Sequence, residues 1–265
     1  MTISKVFHAA SAAIAGFSIA TALTIGAVAQ TDSKQVAKNV VLVHGAWADG
    51  SSWDKVIPLL EAEGLHVVAV QLSLTSLDND VATVERALAL QDGPTVLVGH
   101  SYAGAVISIA GNDDKVAGLV FVAAFAPDEG ESVFSISKPY PPAPIGTELR
   151  PDSQGFLSVT PKGIMEDFAQ DVSEREKKLL VATQGPTNVS CFSTNLPIAA
   201  AWKIKPDWFV VASEDRVIPP DLERAEAAAM NATTITLNSS HVVMLSHPKE
   251  VADLIEQAAA KALPK

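Results

Sequence analysis

Val98-Gly99-His100-Ser101-Tyr102-Ala103-Gly104 is the stretch whose reading decides the fold. Thr95 to Val98, which leads into it, is a short β-branched run of strand type. Ala103 to Ala110, which leads out, is a run of small residues that predicts a helix. A serine on so tight a strand-to-helix turn is forced into a strained backbone, with its hydroxyl exposed above the sheet. Small neighbours are needed because the chain passes close to itself there. The helix points its N-terminus at the site, which favours developing negative charge. Ala103 stands where the G-x-S-x-G pattern has glycine; it is the smallest substitute, and Gly104 follows. The competing reading is an incidental serine in a strand–helix turn.

Outward from this turn the chain alternates between strand-length apolar runs and helical patterns. Asn39–Val43, His66–Val70, Val116–Ala123, Asp207–Ala212 and Thr233–Leu237 are predicted strands. Between and after them, Trp53–Glu63, a segment marked by Val81, Val84, Ala87, Leu88 and Leu90, then Asp221–Met230 and Pro248–Leu263 are predicted helices. Strand–helix alternation with near-continuous apolar strands predicts an α/β fold, a mostly parallel sheet of about six strands covered on both faces. Residues of about 127–204 break the rhythm and include Lys138-Pro139-Tyr140-Pro141-Pro142-Ala143-Pro144, which suits neither helix nor central strand. So long an excursion between core strands reads as a lid over the strand ends.

Two further places carry chemistry. Val43-His44-Gly45-Ala46-Trp47 directly follows the first strand. An oxyanion in acyl transfer needs two backbone N–H donors: the residue after the nucleophile, Tyr102, and one from this loop, Ala46. His44 is a candidate base, but is read here as holding its loop by hydrogen bonds. Near the C-terminus, Asp215 follows the fifth strand and His241 the sixth. A carboxylate fixes the imidazole tautomer, and the imidazole takes the serine proton, without which the hydroxyl is a poor nucleophile. The chain order Ser101, Asp215, His241 is the one expected when each group sits at the carboxyl end of a later strand. Glu214 and Asp128 are alternatives for the acid. His247, beside Pro248 at a helix start, reads as structural. His66 opens a strand, His8 lies near the N-terminus and His100 is the variable residue of the turn. These six histidines show no zinc-ligand spacing, so no metal is expected.

Val41-Leu42-Val43-His44-Gly45-Ala46-Trp47, Val96-Leu97-Val98-Gly99-His100-Ser101-Tyr102, Glu214-Asp215-Arg216 and Ser240-His241 together resemble the α/β-hydrolase superfamily. The likeness is to its compact bacterial esterase-like members, related to plant methylesterases and hydroxynitrile lyases, and covers roughly residues 38–262. It implies Ser101 as nucleophile, His241 as general base, Asp215 as orienting acid and Ala46 and Tyr102 as the oxyanion hole. It also implies no cofactor, a helical cap between the fourth and fifth strands, and a small-molecule ester as substrate. Superfamily members that open epoxides or remove halide have Asp where Ser101 stands, which argues against those reactions. Related hydroxynitrile lyases have Lys directly after the catalytic histidine, where this chain has Val242. Cofactor-free perhydrolases share the triad and stay open as an alternative. A non-catalytic binding module is a third class, but such proteins usually lose a triad member. Trp47 and Trp202 are expected near an apolar pocket.

Composition agrees. The 265 residues are 48% hydrophobic and carry a net charge of -11, which excludes a disordered chain and makes a general nucleic-acid binder unexpected. One cysteine, Cys191, excludes an internal disulfide and any multi-cysteine metal site. Residues 1–29 carry one charge, Lys5, and a long run of small and apolar residues ending in Ala27-Val28-Ala29. This reads as a cleavable signal peptide before a 30–265 domain, hence a periplasmic or secreted enzyme with no stable membrane association once the leader is removed. A retained membrane anchor is the competing reading, because the apolar stretch from Ala9 to Ala29 is about long enough to span a bilayer.

Overall fold

The strands follow the apolar runs closely. The computed structural model describes residues 37–261; the expected leader over residues 1–29, with His8, lies outside them. In chain order the strands are β1 (Asn39–Val43), β2 (His66–Ala69), β3 (Thr95–Ser101), β4 (Val116–Ala124), β5 (Leu149–Pro151), β6 (Phe156–Val159), β7 (Thr187–Asn188), β8 (Asp207–Ala212) and β9 (Thr233–Leu237). The helices are α1 (Ile57–Ala62), α2 (Leu77–Ala89), α3 (Ala103–Ala110), α4 (Val133–Ser137), α5 (Pro161–Gly163), α6 (Glu174–Thr183), α7 (Ser190–Ser193), α8 (Pro220–Met230), α9 (Val243–Ser246) and α10 (Pro248–Lys261).

A six-stranded sheet has the order β2-β1-β3-β4-β8-β9, with every neighbouring pair parallel. Burial follows position in the sheet. β1, β3 and β8 are buried along their whole length, as central strands covered on both faces must be, whereas the edge strands β2 and β9 are largely half-buried or exposed. Threonines Thr233, Thr234 and Thr236 give β9 strand-forming side chains that tolerate water. α10 closes the chain with Val251, Leu254 and Ile255 buried, the stripe its spacing predicts.

The strand order reverses between β1 and β3. That is the topological switch point, where the loops leaving two adjacent strands diverge and open a crevice at their carboxyl ends. The His44–Trp47 loop and the Ser101 turn are these two loops.

The segment between β4 and β8 is not purely helical. Helices α4, α6 and α7 accompany a second, three-stranded sheet of order β5-β6-β7, antiparallel throughout. Its tight turn is set by Asp152, whose Oδ1 accepts from the N–H groups of Gln154 (2.8 Å) and Phe156 (2.9 Å), and by Gly155 at φ +83°. The proline stretch ahead of it is irregular until a single 3-10 turn over Pro144–Glu148. Among the described residues no helix is long and apolar enough to cross a membrane.

Candidate active site

Ser101 ends β3 with φ +56°, a left-handed conformation that costs a non-glycine residue roughly 1–3 kcal/mol. Two features of β4 hold it there. The Ser101 carbonyl accepts from the Phe125 N–H at 3.2 Å. The β3–β4 register also slips at this point: His100 faces Val122 and Ser101 faces Ala124, leaving Ala123 unpaired at φ +42°. Glycine is demanded where the turn crosses its neighbours. A Cβ on Gly104 would lie 1.9 Å from the Phe125 carbonyl oxygen, and one on Gly45 would lie 2.7 Å from the Ser101 Cβ. The close approach therefore falls at Gly104, and Ala103 is accommodated with its side chain fully buried.

Tyr102 opens α3, and its hydroxyl donates to Asp80 Oδ2 at 3.0 Å. Asp80 is fully buried and also accepts from Leu74 N (3.0 Å) and Ser73 Oγ (3.1 Å). Burial raises its pKa, and these hydrogen bonds only partly offset that. The backbone N–H groups of Tyr102 and Ala46 donate to no described residue, whereas the next one, Trp47 N–H, is taken by Thr187 Oγ1 at 3.3 Å. His44 holds the Ala46 loop. Its Nδ1–H donates to the Gly45 carbonyl at 2.8 Å and its Nε2 accepts from Leu72 N at 2.9 Å, so both ring nitrogens are occupied. Burial lowers its pKa, and the ring is neutral.

His241 and Asp215 meet. The His241 Nδ1–H donates to Asp215 Oδ2 at 2.6 Å, with both side chains fully buried. Asp215 Oδ1 accepts from Val217 N (2.6 Å) and Ile218 N (2.9 Å), so the carboxylate is fixed at both oxygens. With the proton on Nδ1, His241 Nε2 carries a free lone pair; it is buried and has no hydrogen-bond partner. The ring lies against the turn that carries Ser101. His100 Nε2–H donates to the His241 carbonyl at 3.0 Å, and the two imidazole centroids are 4.6 Å apart. Burial and the neighbouring His241 push the pKa of His100 well down, so it stays neutral. No hydrogen bond joins Ser101 Oγ to another described residue.

The other acids and histidines are occupied elsewhere. Glu214 is exposed and Asp128 is paired with Lys203. His247 Nε2–H donates to the Asn238 carbonyl at 3.2 Å. Three supporting groups escaped sequence reasoning: His100, Asp80, and Asp171 from the segment between β4 and β8. Asp171 Oδ2 accepts from Ser240 N (2.8 Å) and Ser239 Oγ (3.1 Å), clamping the loop that presents His241. Burial alone would raise the pKa of Asp171, but the bonds from Ser240 and Ser239 outweigh it and the carboxyl is lowered. Nothing in the sequence marks these residues apart from other polar positions.

Ser101 is 3% exposed and opens on a cavity of about 170 Å³ walled by Trp47, Phe125, Phe134, Phe192 and Ile145 among others, with no charged residue in its lining. A wider cavity of about 450 Å³ continues it outward and shares Phe134, Ser137 and Val217. Trp47 lines the inner space, as expected. Trp202 does not: its Nε1–H donates to the Pro127 carbonyl at 3.4 Å. Among the described residues no group of three or more His, Cys, Asp or Glu could hold a metal ion.

The model of the alpha/beta hydrolase family matches residues 40–254. The chain belongs to that family. This alpha/beta hydrolase is 28% identical over 254 residues to methylesterase 1 of Arabidopsis thaliana, covering 84% of this chain and 97% of the relative. It is 27% identical over 249 residues to a pyrethroid hydrolase of Sphingobium wenxiniae, covering 82% and 86%. A crystal structure of a pyrethroid hydrolase superposes with a TM-score of 0.74 at 25% identity, covering 85% of this chain and 98% of that one.

Proposed function

We propose that this alpha/beta hydrolase cleaves carboxylic esters through an acyl-enzyme on Ser101. The observation that carries the reading is the His241–Asp215 pair, with Nε2 unoccupied and its ring packed beside the strained Ser101 turn. Nε2 accepts the serine proton as Oγ attacks the ester carbonyl carbon. The N–H groups of Ala46 and Tyr102 receive the developing oxyanion, and the positive end of α3 adds to them. The imidazolium returns the proton to the leaving alcohol. Water then attacks the acyl carbonyl with His241 again as base, releasing the acid and restoring Ser101.

The walls of the cavity support a reading of the substrate class. With no charge and only Ser101 and Ser137 as polar side chains in the lining, the inner space suits an uncharged apolar acyl or alkyl group. Ester-cleaving relatives support the reaction type. Val242, after His241, is buried, so that position supplies no charge for a cyanohydrin reaction. Export to the periplasm or medium, by removal of residues 1–29, belongs to the same proposal and is tested by N-terminal sequencing of secreted protein. For the chemistry, purified protein is offered p-nitrophenyl esters of increasing acyl length. Turnover that prefers neutral apolar acyl groups and is lost in Ser101→Ala supports the reading; full activity in Ser101→Ala contradicts it.

A further inference from the structure

Asp80 is a fully buried acid in the first turn of α2 that the reaction above leaves unused. A carboxyl so placed needs donors, and four converge on it. Oδ2 accepts from the Tyr102 hydroxyl at 3.0 Å and from Cys191 Sγ, in α7 of the covering segment, at 3.9 Å. Oδ1 accepts from Leu74 N at 3.0 Å and from Ser73 Oγ at 3.1 Å. This second pair pins the stretch after β2 in a conformation it would not choose alone, with Leu74 buried at φ +53°.

The pinned stretch holds the Ala46 loop from both sides. On one side, Leu72 gives its N–H to His44 Nε2 at 2.9 Å, and His44 Nδ1–H holds the Gly45 carbonyl at 2.8 Å. On the other, the Leu74 carbonyl accepts from Asn188 N at 2.8 Å, and the residue before it, Thr187, takes the Trp47 N–H at 3.3 Å. Ala46 stands between Gly45 and Trp47. One carboxyl therefore reaches the two turns that carry the Ala46 and Tyr102 N–H groups, with one oxygen toward each.

We propose that Asp80 is a positioning residue for the oxyanion hole: Oδ2 fixes Tyr102 through its hydroxyl, Oδ1 fixes the Ala46 loop through the Leu72–Leu74 stretch, and together they set the two N–H donors to one spacing. The inference rests on the esterase reading above, which gives those N–H groups an oxyanion to receive. Rigid support of this kind decides how well preorganised donors meet charge that develops in the transition state. Asparagine at position 80 keeps the size but places an NH2 group where one oxygen was, so one of the two pairs of donors meets a donor.

The experiment uses the whole protein and compares wild type, Asp80→Asn, Tyr102→Phe, the double variant and Asp78→Asn, an exposed acid of the same helix turn. Three quantities are read: kcat per active site and KM on a p-nitrophenyl ester, the inhibition constant of an aryl trifluoromethyl ketone, and the amide NMR signal of Ala46. With the ketone, Ser101 Oγ bonds the carbonyl carbon, its proton passes to His241, and the carbonyl oxygen becomes the anion that the two N–H groups receive. The expected fall in kcat is about thirtyfold in Asp80→Asn and about tenfold in Tyr102→Phe, less than the loss of a whole donor because both donors are displaced rather than removed. The ketone weakens by the same factors and KM stays within about twofold, since only the charged state is affected. The double variant is no slower than Asp80→Asn, because both changes cut the same connection. The Ala46 signal moves or broadens in Asp80→Asn, although no hydrogen bond joins the two residues, and stays in place in Asp78→Asn, whose kcat is unchanged. If Asp80→Asn does not fold, Tyr102→Phe alone decides through its matched kcat and ketone losses. Losses that appear in KM, ketone binding that does not follow kcat, additive effects in the double variant, or an Ala46 signal unmoved in Asp80→Asn overturn the proposal. A failure of the esterase reading shows separately, as a wild type that turns over no ester through Ser101, while the Ala46 signal still reports whether Asp80 holds that loop.

Discussion

A Cβ added to Gly104, under the Ser101 turn, would fall 1.9 Å from the Phe125 carbonyl; one added to Gly146, in the segment between β4 and β8, would meet nothing within 4 Å. The same contrast runs through the two regions. At the sheet end, backbone crosses backbone, Ser101 and Ala123 take positive φ, and Asp215 and His44 have their hydrogen-bonding atoms spoken for. Over it, α6 buries no residue, β5 to β7 have two to four residues each, and Phe134 and Leu179 are exposed. Chemistry needs atoms held to fractions of an ångström, which a packed sheet end supplies. Substrate selection tolerates a looser wall, and a looser wall can be changed without disturbing the reaction.

Substitutions at the sheet end should therefore act on rate, and the largest effects fall there. Ser101→Ala should lower kcat on a p-nitrophenyl ester by roughly five orders of magnitude, and Asp215→Asn, which permits the wrong His241 tautomer, by about four. Steady-state assays of folded variants decide this; losses below tenfold would remove the distinction between the regions. Next in size is the glycine pair. Gly104→Ala should cost roughly 3 kcal/mol in chemical denaturation, because the neighbour is backbone and cannot move aside. Gly146→Ala should change stability by less than about 0.5 kcal/mol. Equal costs at both positions would break the comparison.

Much of the sheet end was legible because its signals are local. The strands Asn39–Val43, Asp207–Ala212 and Thr233–Leu237 begin and end where their apolar runs do, and the turn around Ser101 announces itself by small residues between strand and helix. The small antiparallel sheet was not legible, since strands as short as Leu149–Pro151 and Thr187–Asn188 carry no periodicity to read. Glu223 and Glu226 look like the solvent face of a helix in sequence. Only the packing of α8 against β8 and the loop after β4 makes them buried acceptors for Ala212 and Ala126. Asp80 is likewise an ordinary helix-start acid until the Tyr102 hydroxyl reaches it across 22 positions of chain.

The covering segment should instead act on selectivity. Phe134 stacks on Phe192 at 5.7 Å and lines both the inner and outer cavities. Phe134→Ala should raise KM for long apolar esters by about tenfold while kcat on the acetate changes less than about twofold. A fall in kcat across all chain lengths would show that the wall also shapes the reacting groups. A further effect is one of pH on stability, which leaves the reaction itself aside. Glu226 has an ordinary value of 4.5 and a folded value of about 8. Between these the unfolded chain has released a proton that the folded chain keeps, so stability falls as pH rises, by at most about 1.4 kcal/mol per unit for this group, and levels off above it. Glu226→Gln should make the slope shallower by one proton's worth in denaturation series from pH 5 to about 9; an unchanged slope would mean that the buried acid ionises without hindrance.

Whether the hydroxyl on the strained turn is the atom that forms the covalent bond can be read directly by mass spectrometry. The protein is treated with a fluorophosphonate, digested and mapped, beside its His241→Ala variant. The expected result is a single adduct on Ser101 in the wild type and labelling slowed by at least about a thousandfold in the variant. An adduct on any other residue, or labelling of Ser101 that proceeds equally fast without the imidazole, would contradict the account.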